Sequence, residues 1–188
     1  MIYRPFRPIF LRENLLRFIR LFPQNTMFMI LFAWAESSLR IDDPVRDVLR
    51  RTVLVEPEDC LSSRIFAIYH ENQVGNAHST RAAFENALES EACSGSVALW
   101  ISYIRFCYSR KELRHKTKDV FYRAVGSCPW SKELAMEAFT TLVKVMESSE
   151  LRAVFNTMTS KGLRVHVDLE DFSAKWSRSQ GPSQSRTR

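Results

Sequence analysis

Between residues 7 and 161 apolar side chains recur almost throughout at steps of three and four, which puts them on one face of a helix, and no convincing run shows the alternation of a half-buried strand. The pattern predicts an all-α chain. Breaks fall at short intervals: Pro23, Asp43-Pro44, Glu56-Pro57, Gly75, Gly95, Gly126 with Pro129, Ser148-Ser149 and Gly162. Asp43 suits an N-cap with Pro44 at the first helical position, where its missing N–H is not needed; Ser131 and Ser148 suit the same capping role. Four of the five glycines fall where a helix must end, since glycine adopts the left-handed backbone of a C-terminal cap at little cost. The predicted helices are 7–22, 24–39, 44–55, 59–74, 77–91, 96–110, 112–127, 132–147 and 149–161, about nine in all. The loops between them are short enough to make neighbours antiparallel.

A longer period underlies the helical one. A base followed by apolar or small residues three, six and seven positions later occurs at Arg12, Arg46, Arg81, Lys118 and Arg152, at spacings of 34, 35, 37 and 34 residues. That is the length of one helical hairpin. Aromatic-apolar stripes eighteen residues before Arg46 and Lys118, Phe28/Leu31/Trp34 and Trp100/Tyr103/Phe106, mark the first helix of a hairpin. A lone hairpin cannot bury its own stripe, so successive hairpins are expected to stack into a right-handed α-solenoid with a continuous core. Trp34, Phe84, Trp100, Tyr103, Phe121 and Phe155 are the expected repeat core, serving packing rather than a ligand box.

Composition changes this picture little. The 188 residues are 45% hydrophobic and 12% aromatic, enough for one folded domain, expected over residues 7–171 after an N-terminal extension at 1–6. The Ser/Arg-rich stretch 172–188 is expected to be disordered. The longest strongly apolar run, Met27 to Ala35, is nine residues, about half of what a membrane helix needs, so no membrane or export role is expected. Cys60, Cys93, Cys107 and Cys128 are too widely spaced for a zinc site or a dense disulfide framework and read as small buried hydrophobes. Helix 7–22 is apolar all round, and an outer face left partly bare predicts self-association or poor solubility.

Charge is uneven. Of the net +6, residues 1–22 supply +4 and residues 172–188 another +4, so the body between them is slightly acidic and the basic isoelectric point says little about nucleic acid. One internal cluster stands apart. Arg105, Arg110, Lys111, Arg114, Lys116 and Lys118 crowd one inter-helix turn with only Glu112 opposing, and Tyr103, Phe106 and Tyr108 lie among them. Bases interleaved with aromatics are the composition of a phosphate-backbone contact, so this turn is the candidate surface for RNA or a partner, against the plainer reading of a solvated turn. Catalytic chemistry is missing: the sequence has no glycine-rich phosphate loop, His-Glu-x-x-His or Gly-x-Ser-x-Gly. His70, His78, His115 and His166 are scattered singly. We expect no enzyme activity, no cofactor, no metal and no small-molecule substrate.

The run from Leu99-Trp100 to Phe106, followed by Lys118 to Val125 and Cys128-Pro129, resembles the half-a-tetratricopeptide (HAT) repeat of RNA-processing factors. More narrowly, residues 14 to about 171 resemble the C-terminal repeat region of the NRDE family, the "necessary for RNA interference" proteins; Leu16–Asn25, Ser79–Leu88 and the Trp100 block carry the likeness. The resemblance implies a nuclear scaffold of RNA surveillance and gene silencing whose partners include the exosome-associated RNA helicase and splicing factors. Met1 to Pro8 and the tail after Asp171 depart from the family's pattern, as in a truncated or alternatively spliced form. The family's helicase-contacting region is expected to lie N-terminal to the part that this chain resembles.

Overall fold

The computed structural model describes residues 8–23, 25–37, 45–49, 60–74 and 76–163. Among these every regular element is helical: α1 (Pro8–Leu21), α2 (Thr26–Ser37), α3 (45–49), α4 (Leu61–Val74), α5 (Ala77–Glu89), α6 (Glu91–Ser94), α7 (Val97–Ser109), a 3₁₀ turn (Arg114–Lys116), α8 (Thr117–Ser127), α9 (Lys132–Thr140) and α10 (Ser148–Ser160). The Asp43-Pro44 start, most of the expected 44–55 helix, Gly75 and everything after Leu163 lie outside the described residues.

Local chemistry explains the boundaries. Asn76 opens α5 with a reciprocal cap: its side-chain oxygen accepts from the Ser79 N–H at 2.8 Å, and the Ser79 hydroxyl accepts from the Asn76 N–H at 3.1 Å. Ser96 caps α7 and Ser131 caps α9 in the simpler one-bond form. Ser148 is the first residue of α10 rather than its cap, which is Glu147, whose N–H donates to the Glu150 carboxylate at 2.7 Å. At the far end of α10, Gly162 has φ 71°, and the Leu163 N–H returns to the Met158 carbonyl at 2.9 Å. That six-residue closure needs left-handed backbone at Gly162.

Three boundaries differ from the periodic reading. Residues 91–94 form a separate one-turn helix, too short to show a period; buried Cys93 anchors it, and its Ser94 carbonyl accepts the Trp100 indole N–H at 2.8 Å. Helix α8 begins at Thr117, not 112, because buried Leu113 holds the preceding turn against the core. Helix α9 stops at Thr140, and the expected remainder to 147 is turn, tied down by buried Leu142 and Met146.

Helices pack chiefly on elements one or two places away in sequence. Arg12 near the start of α1 meets Glu36 near the end of α2, and Phe18 stacks on Phe28 beside the turn, so the two run antiparallel. The Arg64 guanidinium, early in α4, donates to the Asn86 carbonyl late in α5, the same relation. Two cores result. Leu15, Ile19, Met29, Phe32, Val45 and Leu49 form the smaller one in α1–α3. The larger runs from Ile68 to Met158 through α4–α10. Helix α4 joins them, setting Phe66 and Ala67 on the first and Ile68 in the second, while the Ser63 hydroxyl donates to the Pro23 carbonyl at 3.1 Å.

Candidate interaction surface

Three of the five recurring bases, Arg12, Arg46 and Lys118, pair with acids on other helices. The Arg12 guanidinium lies 2.9 Å from the buried Glu36 carboxylate, and Arg46 lies 3.2 Å from Glu71. Each acid stands on the helix that follows its arginine's, and the two acids are 35 residues apart. That spacing matches the 34 residues between the two arginines, and the recurrence of bases alone does not reveal it. Lys118 instead reaches Glu150 on α10 at 2.7 Å, a bond that raises its ammonium pKa.

Other polar bonds link residues about 35 positions apart in sequence. Glu85 on α5 receives both Arg123 nitrogens, at 3.0 and 2.9 Å, and the Tyr103 hydroxyl at 2.6 Å. Burial pushes the Glu85 carboxyl up, but Arg123, Tyr103 and Arg81 outweigh it and hold it below the usual carboxylate range. Burial, with the Glu85 bond, lifts the Tyr103 phenol well above its ordinary value. Arg105 on α7 holds buried Glu137 of α9 through Nε at 3.3 Å and Nη2 at 2.5 Å, and the Thr141 hydroxyl completes that carboxylate's bonds. The Cys128 thiol approaches the Gly95 carbonyl, and Lys161 reaches the Pro129 carbonyl. These bonds span between 32 and 38 residues of sequence, close to the repeat; Tyr103–Glu85, at 18, crosses from α7 back to α5.

The basic turn is therefore divided. Arg105 and Lys118 serve as internal counter-ions. Arg110 donates to the Asn72 side-chain oxygen at 3.2 Å and lies over the Phe106 ring; Arg114 donates to the Tyr108 carbonyl and covers the Tyr108 ring at 4.9 Å. Lys111 and Lys116 make no side-chain hydrogen bond or ion pair with the described residues. The interleaved aromatics are in use: Tyr103 is fully buried, Phe106 packs on Phe84 and under Arg110, and Tyr108 lies under Arg114. No open stacking platform is left among those three.

Of the expected core residues, Phe84, Trp100, Tyr103 and Phe121 are buried in the larger core and Phe155 packs at its edge. Trp34 is not a core residue. It is 66% exposed, because α2 turns Met29 and Phe32 inward and presents Met27, Ile30, Leu31 and Trp34 outward. The expected Phe28/Leu31/Trp34 stripe is thus one position out of phase with the buried face. His70 is buried and His78 exposed, and no group of His, Cys, Asp or Glu among the described residues could hold a metal. No described helix is long and apolar enough to cross a membrane.

Beside the basic turn lies a groove of about 500 Å³ between α4 and α7. Ile68, Phe84 and Leu99 form its floor and Ile65 and Tyr69 one lip, while Ser102, Ser109 and Arg110 line the α7 side. Sequence reasoning does not find this groove, since it depends on how two distant helix faces are spaced.

No family model matches the chain. Over 100 residues, 53% of its length, it is 37% identical to the mouse protein described as nuclear exosome regulator NRDE2, and over the same share 34% identical to the human protein of that description. The matched stretch spans 8% of the length of each relative, so the likeness is to a small part of a much larger nuclear exosome regulator.

Proposed function

We propose that this chain is a non-enzymatic helical-repeat scaffold, a right-handed HAT-like α-solenoid that presents its surface to protein partners in nuclear RNA metabolism. One observation carries the reading: bonds leaving one hairpin land about one repeat away, on the corresponding helix of the next, as Arg110 does on Asn72, Arg105 on Glu137, Arg123 on Glu85 and Lys118 on Glu150. Such translational contacts are what a stack of hairpins needs and a closed bundle does not. The similarity to nuclear exosome regulators supports a nuclear setting and exosome-linked partners; the helicase, splicing factors and a role in gene silencing are what the resemblance to the NRDE family adds to this proposal. Two measurements test the proposal. Small-angle scattering should give a radius of gyration well above the ~16 Å of a compact globule of this size; a value at that figure overturns the solenoid. Crosslinking with mass spectrometry in nuclei should return exosome-linked or splicing proteins, and a yield of RNA adducts alone overturns the protein scaffold.

A second reading, direct RNA binding, rests on Lys111 and Lys116, which have no carboxylate partner among the described residues, beside Arg110 and Arg114. Neutralising the four should then lower the salt slope of RNA affinity by about one unit for each phosphate no longer matched by a cation. Arg105 and Lys118 contribute least to that reading, because each already neutralises an acid.

A further inference from the structure

Resting on the scaffold reading, we infer that the α4–α7 groove binds a partner-protein segment in which one or two large aliphatic side chains are followed by Asp or Glu. The groove is graded along its length. At one end Ile65 is 44% exposed above a floor of Ile68 and Leu99, a concave apolar site with solvent on one side. At the other end stands Arg110, whose guanidinium bonds, among the described residues, the neutral Asn72 amide and rests on Phe106. Lys111 follows it.

Among the described residues no Asp or Glu lines the groove, and the other cation on its wall, Arg105, is already matched to Glu137. The uncompensated charge of the described lining is thus positive and at one end. A ligand carboxylate replacing the Asn72 amide at Arg110 would exchange a neutral acceptor for an ionised one, which makes the stronger bond. Residues 98 and 110, at the two ends of the α7 wall, are separated by roughly 18 Å of helix rise. The acids must therefore lie two or three helical turns, or four to six extended residues, from the aliphatic anchor. Single-stranded RNA suits the groove less well. Phe106 and Tyr108 are covered by arginines and Tyr103 is buried, leaving Tyr69 as the exposed ring, while the floor is largely aliphatic.

The test pans a displayed library of random 12-residue peptides against the full chain, then measures synthetic versions of the selected sequences by fluorescence anisotropy. A consensus of aliphatic anchors with Asp or Glu on one side is expected. Ile65→Asp and Arg110→Glu should each weaken it at least tenfold, and Arg110→Glu should regain affinity for a peptide whose acids are changed to Lys. Both positions are exposed, and unchanged thermal melting by circular dichroism verifies the fold; Ile65→Ala serves as the milder variant. A consensus without acids, or affinity indifferent to both substitutions, overturns the groove while leaving a scaffold that binds elsewhere. If no peptide is enriched and a 12-nucleotide uridine RNA binds instead, the groove and the protein-scaffold reading fall together.

Discussion

The two cores of this chain obey one packing code with unequal results. In α1–α3 six hydrophobic residues are buried among those described, while Phe10, Leu21, Phe22, Met27, Ile30 and Leu31 remain substantially exposed. In α4–α10 twenty-two are buried among the described residues, and α7 hides Leu99, Tyr103, Ile104 and Cys107 between helices on either side. Helix α2 is apolar on every face, yet one of those faces meets solvent. Burial here follows from how many neighbours flank a helix, not from how hydrophobic the helix is.

Truncating a core aromatic on each side should separate the two regions most clearly. Phe121→Ala removes a fully buried ring from the larger core and should cost about 3–5 kcal/mol in denaturant unfolding. Phe32→Ala, in the smaller core, should cost about 3 kcal/mol, the low end of that range. Hydrogen exchange gives the sharper result: Phe32→Ala should speed exchange in α1 and α2 and spare α7 to α9. Equal loss of protection in both regions would mean that α4 couples them into a single folding unit.

The next effect tests whether both regions use the same ionic device. Arg12→Ala and Arg105→Ala each strand a buried carboxylate, Glu36 or Glu137. Because the arginines are themselves partly solvated, each loss should be about 1–2 kcal/mol rather than the larger value of a fully buried pair. Adding Glu36→Gln or Glu137→Gln to the matching variant should restore part of it. A full cost that the second substitution does not relieve would assign the effect to lost arginine packing instead.

Much of this is legible in the chain. Periodicity locates the helices, and the 35-residue recurrence of a base anticipates the spacing of bonds between hairpins. What the sequence hides is phase and partnership. A helix apolar all round, such as α2, has no polar face to announce its orientation, so Trp34 reads as core and yet lies outside. The cluster at 105–118 looks like six free bases because the acids that neutralise Arg105 and Lys118 lie 32 residues further along the chain. The groove beside it is a product of helix spacing, which no local pattern encodes.

Surface changes should have smaller effects on stability and larger ones on behaviour in solution. Ile30→Glu with Leu31→Glu replaces exposed apolar side chains on α2 and should shift the melting temperature little while raising the concentration at which the chain sediments without association. The same exchange at Leu99 and Ile104 should prevent folding. Thiol labelling draws a parallel contrast. Burial pushes the Cys107 thiol up to about 11, whereas at Cys60 the hydrogen bonds from Ser62 and Ser63 outweigh burial and hold the thiol below its ordinary value. A maleimide should therefore modify Cys60 first and Cys107 only on unfolding; rapid labelling of Cys107 in the folded chain would show the larger core opening locally.

The smallest effect expected is on acid stability, and it belongs to the larger region. Burial alone would raise the Glu85 carboxyl, but Arg123, Tyr103 and Arg81 reverse the shift and leave it below the ordinary 4.5 in the folded chain. A carboxyl with a depressed folded pKa holds fewer protons folded than unfolded, so its contribution is complete above the unfolded value and disappears as pH falls through the lower, folded one. Between neutral pH and about 5 the Glu85→Gln chain should be uniformly less stable than wild type, and below the carboxylate range the two curves should converge. Because Glu85 joins α5 to α7 and α8, the first amides to lose protection on acidification should lie at that junction. Convergence without selective loss there would mean that acid unfolds the chain through its other carboxylates, with Glu150, also held low by Lys118, the next to replace.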